Sequence, residues 1–238
     1  MNRPLWIDPL PPTRAGLAIN RRDCIARLLG LPLAGLTTLA DPATAATPTA
    51  AGSRTVLIVG DSLSAEYGLP RGSGWVALLE RRLAERKLAA TVVNASISGE
   101  TTSGGRSRLG ALLARHRPSH VVIELGGNDA LRGLPLRMTE DNLRAMVKAS
   151  KTAGAQVLLV GMQMPPNYGA AYARDFAAIF GQVARDEKTA LVPFMLAALV
   201  DNGDATRWFQ PDRIHPVAQA HPLILDTIWP VMEGWLRR

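Results

Sequence analysis

The chain has 238 residues, 47% of them hydrophobic and 20% charged, and a formal net charge of +7 at pH 7. That balance describes a globular chain with one sizeable core and excludes a fibrous or wholly disordered one. The basic residues are dispersed rather than interleaved with aromatics, which argues against a nucleic-acid surface. The single cysteine, Cys24, excludes an intramolecular disulfide, a cysteine-rich zinc site and a CxxC redox centre.

The first fifty residues differ from the rest. Arg21-Arg22 precede an apolar stretch over 25–39 with internal glycines and one proline, and small residues follow, with Ala43-Thr44-Ala45 suited to a peptidase. This order is that of an export signal, and the adjacent arginines point to the twin-arginine type. The apolar stretch is short and broken for a membrane span. Residues 1–46 are therefore read as a signal and N-terminal extension, 47–53 as a short linker and 54–238 as one domain, in the periplasm or secreted after cleavage. A cytoplasmic protein with a loose extension is the alternative.

From residue 54 strands and helices alternate. Val56-Leu57-Ile58-Val59 read as a buried strand over 55–60, and Gly60-Asp61-Ser62-Leu63-Ser64 turn out of it. A helix over 75–87 follows, then a strand over 91–94, a helix over 104–116 limited by Pro118, and a strand over 120–125. The pattern repeats with a helix over 139–152, a strand over 156–162, a helix over 172–186 and a short strand at Ala190–Val192. The terminal helix is expected to break or restart at Pro230. Such alternation calls for a mostly parallel sheet covered on both faces, though periodicity leaves the strand order open.

Polar turns collect where these strands end, the edge at which open α/β sheets bind ligands. Ser62 leaves the first strand, and Asp212 and His215 lie three apart near the C-terminus. A histidine can take a serine proton, and a carboxylate can orient the ring and stabilise its positive form. Acyl transfer also needs donors aimed at the developing oxyanion, for which the Ser62 N–H, the Gly99 N–H and the Asn128 amide are candidates. Each has a plainer reading. Ser62 or Ser64 can cap the next helix, Gly99 can simply form a turn, Asn128 can cap or close an Asx-turn, and Asp212 with His215 can make a local loop bond.

Four blocks together resemble the GDSL, or SGNH, hydrolases: Gly60-Asp61-Ser62-Leu63-Ser64, Asn94 to Thr101 with Gly99 inside it, Glu124-Leu125-Gly126-Gly127-Asn128-Asp129, and Asp212-Arg213-Ile214-His215-Pro216. Their order and spacing are most similar to the bacterial periplasmic thioesterase I, protease I or lysophospholipase L1 branch, over roughly residues 54–236. The resemblance implies a three-layer α/β/α, flavodoxin-like fold without cofactor or metal. It implies Ser62 as nucleophile, His215 as base, Asp212 as orienting acid, and Ser62, Gly99 and Asn128 as the oxyanion hole. It further implies a small-molecule substrate: an aryl or other carboxylic ester, an acyl thioester or a lysophospholipid, with transient contact to a membrane surface allowed.

Two positions depart from that pattern. Arg213 stands where many members have glycine, so a positive φ there would strain it, while an outward side chain could favour phosphate or carboxylate at the entrance. Val217 stands where relatives often carry asparagine. The loop Met164-Pro165-Pro166-Asn167-Tyr168-Gly169 resembles a substrate loop, with Met164, Pro165 and Tyr168 as acyl-groove candidates; otherwise it is a stiff connection with Tyr168 packed on its helix. His116, His120 and His221 share no ligand pattern and read as surface, strand-end or helix-packing residues. A monomer is the default. A carbohydrate O-deacetylase using the same triad and a nonenzymatic small-ligand binding protein are the alternative functions; the Gly-x-x-x-x-Gly-Lys-Ser/Thr phosphate loop is absent.

Overall fold

A computed structural model describes residues 54–164, 168–200 and 205–237. The expected signal, the linker and Pro165 lie outside the described residues.

Five strands form one sheet: β1 (Arg54–Gly60), β2 (Ala90–Asn94), β3 (His120–Glu124), β4 (Gln156–Val160) and β5 (Ala190–Val192). Their order is β2-β1-β3-β4-β5, and every neighbouring pair is parallel, with Leu57 opposite Val93 on one side and Val121 on the other. Parallel strands need crossovers, and helices supply them: α1 (Trp75–Glu85), α2 (Thr102–His116), α3 (Gly127–Leu131) with α4 (Leu136–Thr152), and α5 (Ala170–Asp186); α6 (Ala197–Val200) and α7 (His221–Leu236) follow the last strand.

Side chains alternate across a strand, so β1 feeds two cores. Val56 and Ile58 pack with the apolar faces of α1 and α7, while Leu57 and Val59 pack with α2, α4 and α5. All four are fully buried, which explains why this strand reads as a continuous apolar run. Strand β2 is at the edge and correspondingly half-exposed. The result is the three-layer α/β/α fold expected from the sequence.

Element ends differ from the sequence reading by a few residues, and two differences have physical reasons. Helix α7 does not break at Pro230: it runs unbroken from His221 to Leu236 with the proline inside it. A proline removes one helical hydrogen bond, but Ile228, Trp229, Met232 and Trp235 on either side of it are buried, and their packing outweighs that loss. Helix α3 was not expected because five residues opening on glycine carry too little periodicity to read.

The strand order reverses between β1 and β3, with β2 returning to the far side of β1. Ligands bind outside the carboxyl ends of strands at such a switch point. The turns after β1, β2 and β3 carry Ser62, Gly99 and Asn128.

Candidate active site

The turn after β1 is tied down at its start. Asp61 Oδ1 accepts the Leu63 N–H at 3.0 Å, and the Asp61 carbonyl accepts those of Ser64 and Ala65 at 3.3 and 3.0 Å. Ser62 is left presenting its hydroxyl. Beneath it, Glu124 at the end of β3 is buried, and its Oε2 accepts the Ser64 hydroxyl at 2.7 Å and the Asp61 N–H at 3.3 Å. Gly60 is required here by close approach: a Cβ on it would sit 2.8 Å from both Glu124 Oε2 and Ser64 Oγ.

The loop before α7 brings the other partners. Its flanks pair through an antiparallel bridge between Phe209 and Pro216, and the Val217 N–H donates to the Trp208 carbonyl at 2.9 Å. At its tip Asp212 Oδ1 accepts the N–H groups of Ile214 and His215 at 2.9 and 3.0 Å. Asp212 Oδ2 lies 2.7 Å from His215 Nδ1, and His215 Nε2 lies 2.9 Å from the Ser62 hydroxyl. Burial would raise the Asp212 carboxyl, but the two N–H donors and the imidazole outweigh it and hold the group down at about 2. An ionised Asp212 accepts a proton-bearing Nδ1, which leaves Nε2 as the acceptor facing Ser62.

Asn128, on α3, donates its amide to Asp61 Oδ2 at 3.0 Å. One N–H of that amide remains for a second acceptor. Asp129 beside it is fully buried and accepts both the N–H and the hydroxyl of Thr102, the first residue of α2, together with the Thr139 hydroxyl at 3.3 Å. Gly99 lies in the turn closed by the Glu100 N–H on the Ile97 carbonyl at 3.1 Å, and its φ of +77° suits glycine.

A cavity of about 630 Å³ adjoins this cluster, with Leu131, Met162, Met164, Phe194, Phe209 and Ile214 among its walls. Met164 is buried and Tyr168, also on the wall, is exposed. That volume falls within the usual range for small-molecule sites.

Ser62, Asp212 and His215 are thus in direct contact, Asn128 is joined to the same turn, and Gly99 shares the strand-end edge. Several participants were missed from sequence. The Tyr67 ring stacks on His215 with centroids 4.4 Å apart and an interplanar angle of 39°. Gln210 Nε2 donates to the carbonyls of Tyr67 and Pro216 at 3.0 and 3.1 Å, bridging the two loops. The one sequence signal for Glu124 is a carboxylate closing an otherwise apolar strand. Two histidines resolve as structural: His120 sits edge-on to Trp235, and buried His221 accepts the first N–H of α1, from Trp75, at 3.0 Å. Burial lowers His221 to about 4, against the nearby Glu66 charge, so it caps the helix as a neutral ring.

The family model for the GDSL-like lipase/acylhydrolase family matches residues 58–223. The chain belongs to this family. GDSL-like hydrolases similar to it include esterase TesA of Pseudomonas aeruginosa, 49% identical over 186 residues, which are 78% of this chain and 91% of that protein. Thioesterase 1/protease 1/lysophospholipase L1 of Escherichia coli K12 is 42% identical over 177 residues, 74% of this chain and 82% of the relative. The crystal structure of the psychrotrophic esterase EstA from Pseudoalteromonas sp., inhibited by monoethylphosphonate, superposes with a TM-score of 0.72 at 41% identity. It covers 78% of this chain and 100% of its own. This GDSL-like chain is accordingly a serine hydrolase of carboxylic esters.

Proposed function

We propose that Ser62 attacks the substrate carbonyl while His215 takes its proton and Asp212 steadies the resulting imidazolium. The observation that carries this reading is the unbroken contact chain from Ser62 Oγ through His215 to Asp212. The Ser62 and Gly99 N–H groups and the free N–H of Asn128 hold the oxyanion. The alcohol or thiol leaves with the proton from His215, and water then repeats the attack on the acyl-enzyme to release the acid. The substrates are aryl esters, acyl thioesters and lysophospholipids, the classes named for similar enzymes, and the apolar cavity takes their acyl chain.

Hydrolysis of a chromogenic short-chain ester by the purified protein, abolished in Ser62→Ala, tests this. Covalent capture of a phosphonate at Ser62 in the wild type should accompany it. Retained turnover in a folded Ser62→Ala protein would overturn the assignment.

Arg21-Arg22 and the apolar stretch after them support export to the periplasm, with cleavage that leaves a mature start near Ala46.

A further inference from the structure

The turn that carries the acid and the base is held at both ends. Asp212 Oδ1 binds the N–H groups of Ile214 and His215, and the Gln210 carbonyl accepts the Arg213 N–H at 2.8 Å. Between these constraints Arg213 has a φ of +59°, a left-handed conformation that glycine enters freely and that disfavours any residue with a Cβ. Lys87, Arg117 and Lys188 share that conformation but each follows a helix, where a left-handed residue ends the helix. Glu66 shares it too, and its carboxylate accepts the N–H groups of Gly72 and Gly74. Arg213 ends no helix, and among the described residues its guanidinium has no carboxylate partner.

What Arg213 does touch is the cavity. Among the described residues, and apart from Asp212, which is engaged with His215, it is the only charged side chain on walls that are otherwise mostly apolar. A guanidinium is permanently charged and matches carboxylate and phosphate oxygens in a planar fork. A strained residue whose side chain serves no bond among the described residues is a pointer to a functional role.

We propose that Arg213 makes this pocket select amphiphilic anions: the favoured esters or thioesters carry, on the acyl chain or on the leaving group, an anionic group that reaches the guanidinium. The inference rests on the hydrolase reading of Ser62. Its test compares kcat/KM for two matched pairs of substrates on the full-length protein. One pair differs by a terminal carboxylate on the acyl chain, the other by a phosphate on the leaving group. Wild type, Arg213→Gly and Arg213→Lys are measured at low and high salt; glycine adopts the local φ without strain, so the fold is kept.

In at least one pair, the wild-type anionic-over-neutral ratio should fall roughly three- to tenfold in Arg213→Gly. Arg213→Lys should keep part of it, and salt should shrink it in the wild type alone. The pair that responds identifies which end of the substrate carries the charge. Ratios equal in wild type and Arg213→Gly for both pairs would overturn the inference. Failure of the wild type to cleave any of the four substrates would instead overturn the hydrolase reading beneath it.

Discussion

Glu124 accepts the Ser64 hydroxyl at 2.7 Å directly below the turn that presents Ser62. Burial, and then the neighbouring Asp61 charge, push the Glu124 carboxyl well above the usual range, while burial pushes Asp61 up to about 6 against the Leu63 N–H. Both groups bind a proton more tightly folded than unfolded. The stability they contribute is complete below the unfolded carboxylate pKa, about 4, and is lost as pH rises through the folded values, about 6 for Asp61 and well above the ordinary carboxylate range for Glu124. Glu124→Gln stays neutral at every pH and should flatten that decline, measured by urea unfolding between about pH 4 and 8. A variant with the same slope as the wild type would show that Glu124 is ionised in the native state.

Asn128 donates one amide N–H to Asp61, and in the proposed function its other N–H serves the carbonyl oxygen as that becomes negative. Asn128→Ala should therefore lower kcat by roughly 10²–10³-fold with little change in KM, the scale of losing one oxyanion donor. Unchanged turnover in a folded protein would remove Asn128 from the role.

In the proposed function the acyl chain lies in the cavity whose walls include Met164 and Tyr168. A fully buried methylene is worth about 0.8 kcal/mol, or about fourfold in specificity when the contact persists in the transition state. Met164→Ala and Tyr168→Ala should each lose more activity on an eight- or twelve-carbon ester than on a two-carbon one with the same leaving group. Equal proportional losses along that series would sink the groove.

Gln210 joins the segment that follows Ser62 to the loop that carries Asp212 and His215. Its side chain grips the Tyr67 and Pro216 carbonyls, its N–H donates to the His215 carbonyl at 2.7 Å, and the Tyr67 N–H donates to the Ser62 carbonyl at 3.3 Å. Gln210→Ala should loosen the Ser62–His215 geometry and cut kcat roughly ten- to a hundredfold while KM holds, since small misplacements of reacting groups are costly. Steady-state kinetics on a short ester check this, and a loss confined to KM would contradict it.

Export is checked with a tagged full-length chain. The wild type should appear outside the cytoplasm in shortened form, and Arg21→Lys with Arg22→Lys should block that transfer. Efficient export of the double variant would reject the twin-arginine route.

Much of this molecule is legible because buried parallel strands need unbroken apolar runs and acyl transfer needs particular side chains. Val56 to Val59 announce β1, and Ser62, Asp212 and His215 can be matched by chemistry even though Ser62 and His215 are 153 positions apart. The contacts that hold them are harder to read. Asn128 and Asp61 are 67 residues apart, Ser64 and Glu124 are 60 apart, and no local pattern pairs them. Sheet order is equally silent, since exchanging neighbouring strands would leave each strand's own pattern intact. Pro230 misleads because local propensity yields to tertiary packing. Val217 needs no polar partner: its side chain packs against the core beside α7.

The indole of Trp75, fully buried at the start of α1, donates its N–H to Ser64 Oγ at 3.1 Å, two residues from Ser62. The enzyme thereby carries its own fluorophore wired to the reacting turn. Any shift of that turn on acylation changes the polarity felt by the indole, so a stopped-flow trace of tryptophan emission can follow the formation and decay of the acyl-enzyme without a label.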